Sequence, residues 1–301
     1  KIMLTIKNLK KSYNNRPIIQ DLNLHINNGE IYGLLGANGA GKTTTINIIC
    51  HLLEADSGLV EINGQQVSEK TKKWLGVAPQ ENLMYKSLTC AENLNFYAKV
   101  YGLNASQRRQ QISESLAAVN LVDRANSLVG TLSGGMQRRM NNAIAIIHQP
   151  KLLILDEPTT GLDIEARYEI WHLIQSLKER GITILLTTHL LDEAQRLCQR
   201  IGILKNGQMI AEGTLNELRQ LVAAKEIAII KTSEENLAIL RANELGFDYR
   251  YYGKDLAFLL PNTYELKEIL DNFNGIPIDS ISRQSIQLEH IYLEVTQSVK
   301  L

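Results

Sequence analysis

Gly36-Ala37-Asn38-Gly39-Ala40-Gly41-Lys42-Thr43 fits the spacing G-x-x-x-x-G-K-[ST] without a gap. Glycines at 36, 39 and 41 let a backbone curl until successive N–H groups point at one anion. In such a loop Lys42 reaches the β- and γ-phosphates of a nucleotide as a compact charge, and the Thr43 hydroxyl ligates Mg²⁺. Gly36, Asn38, Gly39, Ala40, Gly41, Lys42, Thr43 and Thr44 are therefore the candidate nucleotide contacts. Phosphoryl chemistry also needs a second carboxylate and a group that activates water. Leu152-Leu153-Ile154-Leu155-Asp156-Glu157 offers both, as two acids at the end of an apolar run. Asp156 is the candidate for the Mg²⁺ shell, through water, and Glu157 for the general base. His189 follows two threonines; there it can contact a γ-phosphate, or serve the fold as most lone histidines do.

The elements that must position these groups are legible beside them. Residues 30–35 (EIYGLL) read as a buried strand, and residues 44–49 as a helix whose positive end faces the anion. Residues 152–155 read as a strand buried on both faces, with its acids at the carboxyl end, where open α/β sheets hold ligands. Residues 182–188 read as a third strand. A second glycine-rich segment, Leu132-Ser133-Gly134-Gly135-Met136-Gln137, opens a helix with Met140, Ala143, Ile144 and Ile147 at i, i+3, i+4, i+7. Ser133 is a good N-cap, and the free N–H groups with the helix dipole favour an anion. This segment lies too far along the chain to belong to the first loop. It is either half of a second anion site or a capped helix without a ligand.

The order of these segments resembles the nucleotide-binding subunit of an ATP-binding cassette (ABC) transporter, over about residues 2–220. The resemblance identifies residues 36–44 with Walker A, 152–157 with Walker B and 132–137 with the LSGGQ signature. It implies that Tyr13 stacks on adenine, that Gln80 is the Q-loop glutamine sensing metal and γ-phosphate, that Asp163 (in Gly161-Leu162-Asp163) is the D-loop aspartate, and that His189 is the switch histidine. It implies ATP and Mg²⁺ as ligands, with Thr43, Gln80 and Asp156 around the metal and Lys42, Gln80, Glu157 and His189 catalytic. It further implies that Ser133, Gly134 and Gly135 of one subunit face the γ-phosphate held by another, so that two ATP molecules lie in a head-to-tail dimer. Met136 stands where the signature more often has Gln, and Cys90 where a branched aliphatic residue is common.

Composition narrows the classes. Lys+Arg 32 against Asp+Glu 32 leaves formal net charge +0, which argues against non-specific nucleic-acid binding. Cys50, Cys90 and Cys198 are scattered and odd in number, fitting a reducing compartment better than a disulfide framework. His25, His51, His148, His172 and His290 show no metal-ligand spacing. No apolar run approaches the length of a membrane span and no signal peptide is visible, so the chain is expected to depend on another polypeptide for any pore.

The expected fold is α/β: a P-loop NTPase (RecA-like) ABC core with an antiparallel β subdomain and a helical insert, plus a small C-terminal α+β, ferredoxin-like domain. Residues 1–222 form the nucleotide-binding domain, with the helical subdomain at about 82–148, and 223–301 an accessory or regulatory domain. Alternation in Ile2-Leu4-Ile6 and Leu22-Leu24-Ile26 predicts a half-solvated antiparallel sheet. In the insert, Thr89 and Glu92 predict a capping box, Leu94, Tyr97, Ala98 and Tyr101 share one face, and Arg108, Arg109 and Glu114 face solvent. Met84, Tyr85, Asn95, Phe96 and Tyr97 either line a docking groove or pack the subdomain. After a helix from 215 to about 224, strands at 225–231, 247–252, 255–260 and 276–282 alternate with helices at 234–245 and 263–274, a βαββαβ order, before a last helix at 286–295.

The function these expectations describe is the ATP-hydrolysing motor of an ABC exporter of the ABC-2 type. It would act as a homo- or heterodimer on the cytoplasmic face of the membrane, bound to an integral membrane permease and to no nucleic acid. Alternatives are an importer ATPase and a soluble cassette not linked to transport, which would act on nucleic acid or ribosomes.

Overall fold

In the computed structural model, which describes residues 1–81 and 84–296, the chain divides into two compact units, Lys1–Glu212 and Gly213–Leu301. The first unit opens with strands β1 (Ile2–Tyr13), β2 (Arg16–Asn27) and β3 (Ile31–Leu35), then helix α1 (Lys42–Ile49). Strands β4 (Ser57–Ile62), β5 (Gln65–Gln66) and β6 (Leu75–Ala78) follow, then helices α2 (Cys90–Val100), α3 (Ala105–Ala118) and α4 (Gly134–Ile146). Strand β7 (Leu152–Asp156), α5 (Ile164–Glu179), β8 (Thr183–Thr188), α6 (Leu191–Leu197), β9 (Arg200–Lys205) and β10 (Gln208–Gly213) complete it.

Two sheets result. The antiparallel one, ordered β2-β1-β4-β5, sets Leu4 opposite Ile26, Ile6 opposite Leu24 and Leu9 opposite Leu22. The other, ordered β10-β9-β3-β8-β7-β6, runs parallel from β9 to β6. Its central strands are buried because both faces are covered: β7 is apolar up to Asp156, and β8 carries an apolar middle, Ile184 to Leu186, between buried threonines. Leu153, Leu155, Ile184 and Leu186 point into a core shared with α2 to α5, while Leu152, Ile154, Leu185, Tyr32 and Leu34 point into a second core under α1 and the antiparallel sheet.

In the helical subdomain the Thr89 Oγ1 accepts from Glu92 N at 3.2 Å and Glu92 Oε2 accepts from Thr89 N at 2.8 Å, the expected capping box. Leu94 and Ala98 are buried, and Tyr101 stacks on the His148 ring at 3.6 Å. Arg108 departs from the expected solvated face. Its Nε donates to Asn95 Oδ1 at 3.0 Å and its Nη1 to Leu103 O at 2.9 Å, tying α3 to α2. A guanidinium with several fixed donors outcompetes hydration when carbonyl and amide oxygens sit at fork spacing.

The second unit holds α7 (Leu215–Arg219), β11 (Glu226–Lys231), α8 (Glu235–Glu244), β12 (Asp248–Tyr252), β13 (Asp255–Leu260), α9 (Leu266–Asn272), β14 (Ser280–Ser285) and α10 (Leu288–Val295). Its sheet is ordered β12-β13-β11-β14 with all neighbours antiparallel, the arrangement of a split βαβ fold. Two expectations shift. The helix expected to end the first domain groups instead with the second, since α7 packs on α10 and Arg219 Nε donates to Ile286 O at 2.8 Å. The last strand begins at Ser280 rather than 276, because Pro277 has no N–H to give a ladder; Ile276 and Ile278 plug the core from the loop instead.

Two side chains in the first unit carry measurable consequences. Asn142 on α4 is 1% exposed, and neither its Nδ2 nor its Oδ1 finds a partner among the described residues. Replacing it by the near-isosteric leucine removes two unsatisfied groups, so Asn142→Leu should raise the unfolding free energy by about 1–2 kcal/mol in urea titrations; a decrease would contradict the burial. His148 donates from Nε2 to Leu75 O at 2.7 Å, and burial pulls its pKa from 6.5 down to about 4. Above pH 6.5 the ring is neutral folded or unfolded. As pH falls toward 4 the unfolded chain takes up a proton that the folded one refuses, so stability is lost at roughly 1 kcal/mol per pH unit. Unfolding free energies of wild type and His148→Gln should therefore converge or cross between pH 7 and pH 5, and parallel curves would refute this.

Candidate active site

The first loop leaves β3 and enters α1 through a backbone that only glycine permits at two points. A Cβ on Gly36 would lie 2.6 Å from Leu204 O, and Gly41 sits at φ 109°. Gly41 is also the N-cap of α1 and supplies no side-chain cap, so the first N–H groups of this helix are left for an anion. Lys42 is 6% exposed; its Nζ donates to Gly36 O at 2.6 Å and to Ala37 O at 3.4 Å, which turns the ammonium back over the loop. A cleft of about 410 Å³ opens here. Asn38, Gly39, Gly41, Lys42, Thr43 and Thr44 line it, with Tyr13 and Ile18 on one wall and Gln80, Asp156 and Glu157 on the other. Gly36 and Ala40 stand behind the cleft: the first holds Lys42, and Ala40 O accepts from Gly207 N at 3.0 Å. Tyr13 is 46% exposed at the lip.

Strand β8 lies between β3 and β7, and the ends of all three meet at this cleft. Asp156 ends β7, its Oδ1 accepting from Thr187 Oγ1 at 2.5 Å. Glu157 follows with φ 51°, a left-handed conformation uncommon for a residue with a side chain, fixed by its N–H donating to Thr187 O at 3.0 Å. That turn aims a carboxylate only 5% exposed at Lys42. Oε1 lies 3.4 Å from Lys42 Nζ, and Oε2 accepts from His189 Nδ1 at 2.6 Å and from Thr160 Oγ1 at 3.0 Å. His189, expected at a γ-phosphate, here touches the expected base.

Three supporting side chains lie outside the residues expected from sequence. Arg138 on α4 is 6% exposed; Nη1 donates to Pro79 O at 3.0 Å and Gln80 O at 2.8 Å, and Nη2 to Glu157 O at 3.3 Å. Burial lowers the pKa of this guanidinium, opposed by the Asp156 and Glu193 carboxylates. Thr187 orients Asp156. Glu193, 1% exposed, accepts from Thr159 Oγ1 at 2.6 Å and Trp171 Nε1 at 3.1 Å, and burial raises its pKa. The available cue for Arg138 was a cation falling one turn before Asn141 and Asn142, on the buried side of an amphipathic helix.

Ser133, Gly134, Gly135 and Asp163 do not join this cleft. They line a second one, of about 300 Å³, which shares no residue with the first. Ser133 caps α4, accepting from Met136 N at 3.3 Å, and Asp163 caps α5, accepting from Ala166 N at 2.8 Å. A Cβ on Gly135 would lie 2.8 Å from Ala166 Cβ, so glycine brings the two helix starts together. Gly134 faces open space.

Among the described residues, no helix is long and apolar enough to cross a membrane, and no group of three or more His, Cys, Asp or Glu side chains is set to hold a metal. Residues 19–160 match the family described as ABC transporter. The linearmycin resistance ATP-binding protein LnrL of Bacillus subtilis (strain 168) is 40% identical over 243 residues, covering 80% of this chain and 78% of that protein. The Nod factor export ATP-binding protein I of Paraburkholderia xenovorans (strain LB400) is 40% identical over 213 residues, 70% of each. A solved dimeric ATP-binding cassette in a post-hydrolysis state, bound to ADP and Pi, is similar with TM-score 0.64 at 29% identity, over 71% of this chain and 99% of that one. A phosphate loop facing a buried carboxylate, on a chain this close to those proteins, leads to one conclusion: the chain belongs to the ABC transporter family, as an ATP-binding subunit that hydrolyses ATP.

Proposed function

We propose that this subunit drives an exporter, and that each of its ATP sites is completed by the signature of a second subunit. The observation that carries the reading is the separation of the two clefts. The loop cleft gathers Lys42 and Glu157, with His189 hydrogen-bonded to Glu157, while Ser133 and Asp163 flank a different opening on the same unit. One chain therefore offers two half-sites, and a head-to-tail pair of chains joins them twice. The exporter direction is supported by the relatives named for linearmycin resistance and Nod factor export.

In this reading the α1 N-terminus and Lys42 bind the triphosphate, and Tyr13 stacks on the base. The Thr43 hydroxyl, the Asp156 carboxylate through water and the Gln80 amide would hold Mg²⁺; all offer hard oxygen donors, the kind this ion accepts. Bound there, Mg²⁺ would neutralise charge on the β- and γ-oxygens. A triphosphate offers Lys42 stronger acceptors than one carboxylate, which leaves Glu157 to accept a proton from water. With Nδ1–H on Glu157, His189 can donate its other nitrogen to a phosphate oxygen only as the imidazolium. The signature N–H groups of the partner close over the γ-phosphate. The subunit would lie on the cytoplasmic face of a membrane through a permease that supplies the pore.

The permease would meet the helical subdomain at an aromatic ridge. Tyr85 and Phe96 are 48% and 40% exposed, with ring centroids 5.0 Å apart, and Phe96 meets Tyr97 at 5.3 Å. Asn93 clamps the ridge, its Oδ1 accepting from Tyr85 N at 3.0 Å and its Nδ2 donating to Tyr85 O at 3.0 Å. Met84 packs inward on the helical core, so the ridge rather than Met84 presents the docking surface.

Two measurements test this. Glu157→Gln should bind ATP with near wild-type affinity, lose at least about a hundredfold in turnover and elute as a dimer with Mg-ATP in size-exclusion chromatography; elution as a monomer alone would count against the shared site. Phe96→Asp should leave basal ATPase within about twofold while transport by the complex with its permease collapses. Full transport in that variant would remove the docking assignment.

A further inference from the structure

The signature helix reaches both nucleotide sites of such a dimer. Its N-terminal residue Ser133 faces the cleft that would meet the partner's nucleotide. Five residues on, about 7.5 Å along the axis, Arg138 turns the other way and grips this subunit's own site. Its guanidinium donates to the carbonyls of Pro79, Gln80 and Glu157, and Asn141 Nδ2, one turn further, donates to Pro79 O at 3.0 Å. Four hydrogen bonds thus run from one helix to three carbonyls: two to Pro79, one to the Q-loop glutamine Gln80 and one to the general base Glu157.

We propose that Arg138 is a positioning residue that links the two ATP sites of the dimer, by fixing the Gln80 and Glu157 backbones of one site to the helix that reads the nucleotide of the other. The link rests on the two-subunit reading above. Glu157 sits at φ 51°, and its peptide carbonyl accepts from Thr160 N at 3.3 Å within the same tight turn; Arg138 adds a hold from a separate element, which keeps the carboxylate on the line to water. A planar guanidinium can hold three carbonyls in fixed relation; an ammonium is a point charge on a flexible stem and cannot. Movement of the signature helix, when the partner's nucleotide engages Ser133, is then passed to Gln80 and Glu157 through bonds 2.8–3.3 Å long rather than through a loose loop. Arg138 touches no substrate in this account. A cation placed only to support the fold would change stability without changing how one site senses the other.

Steady-state ATPase of the full chain separates these. Wild type should show a Hill coefficient for ATP approaching 2, the number of sites. In Arg138→Met the Hill coefficient should fall toward 1 and kcat should drop about tenfold or more, with ATP affinity within about twofold and ATP-dependent dimers still captured in the Glu157→Gln background. Arg138→Lys should recover part of kcat but not the cooperativity. If Arg138→Met fails to fold, Arg138→Lys and Asn141→Leu carry the same readout, each losing part of the grip. Unchanged cooperativity in every folded variant, or a loss of kcat that merely tracks melting temperature, would overturn the link while leaving the shared site intact. A wild type with a Hill coefficient of 1 whose Glu157→Gln variant stays monomeric would sink the two-subunit reading and the link together.

Discussion

Everything at the active site turns on one desolvated contact, the Lys42 ammonium 3.4 Å from the Glu157 carboxylate, with side chains only 6% and 7% exposed. Burying two charges costs several kcal/mol each unless geometry and further hydrogen bonds offset it. Here Lys42 adds two loop carbonyls and Glu157 adds His189 and Thr160, so the pair is part of a filled network. The arrangement is only possible because β3, β8 and β7 are adjacent and parallel. Their carboxyl ends bring the loop, His189 and the paired acids to one line, at which a left-handed Glu157 turns inward. A sheet buried on both faces fixes those ends, and its strands are accordingly apolar through their middles, with Thr187 and Asp156 at the ends hydrogen-bonded to each other.

The same contact bears on catalysis. A base held in an ion pair and a short hydrogen bond is poorly available to a proton until something stronger takes the lysine. In the reading proposed above a triphosphate would do so, which would make nucleotide binding a condition for activating Glu157 rather than a neutral docking event. Arg138 then matters because it governs the other end of Glu157, its peptide carbonyl, from a helix that belongs to the signature.

What the sequence made legible follows from how local each signal was. The phosphate loop, the paired acids, the caps at Thr89 and Ser133 and the antiparallel pairing of Leu4 and Ile6 with Ile26 and Leu24 are all written in short spacings, and they stand where expected; Ile2 does not, since a register shift before Leu4 leaves it exposed opposite Asn27. The split βαβ order of the second unit was also visible, because alternating strand and helix periods survive without knowledge of neighbours. Arg138, Thr187 and Glu193 were not visible, since each works on groups distant in the chain: Arg138 lies 58 residues from Gln80, and Glu193 lies 34 from Thr159. Their residue types are ordinary for exposed helix and strand positions. Pro277 was a local signal misread in weight, for the flanking isoleucines suggested a strand that a missing N–H forbids.

The central claim is that nucleotide is enclosed between two copies of this fold. The most direct measurement is a structure of the Glu157→Gln chain with Mg-ATP. The account places the triphosphate on Lys42 and the α1 N-terminus of one subunit, with the partner subunit's Ser133 within about 3 Å of the γ-phosphoryl oxygens. A closed assembly whose signature serines both lie remote from any γ-phosphate would contradict it.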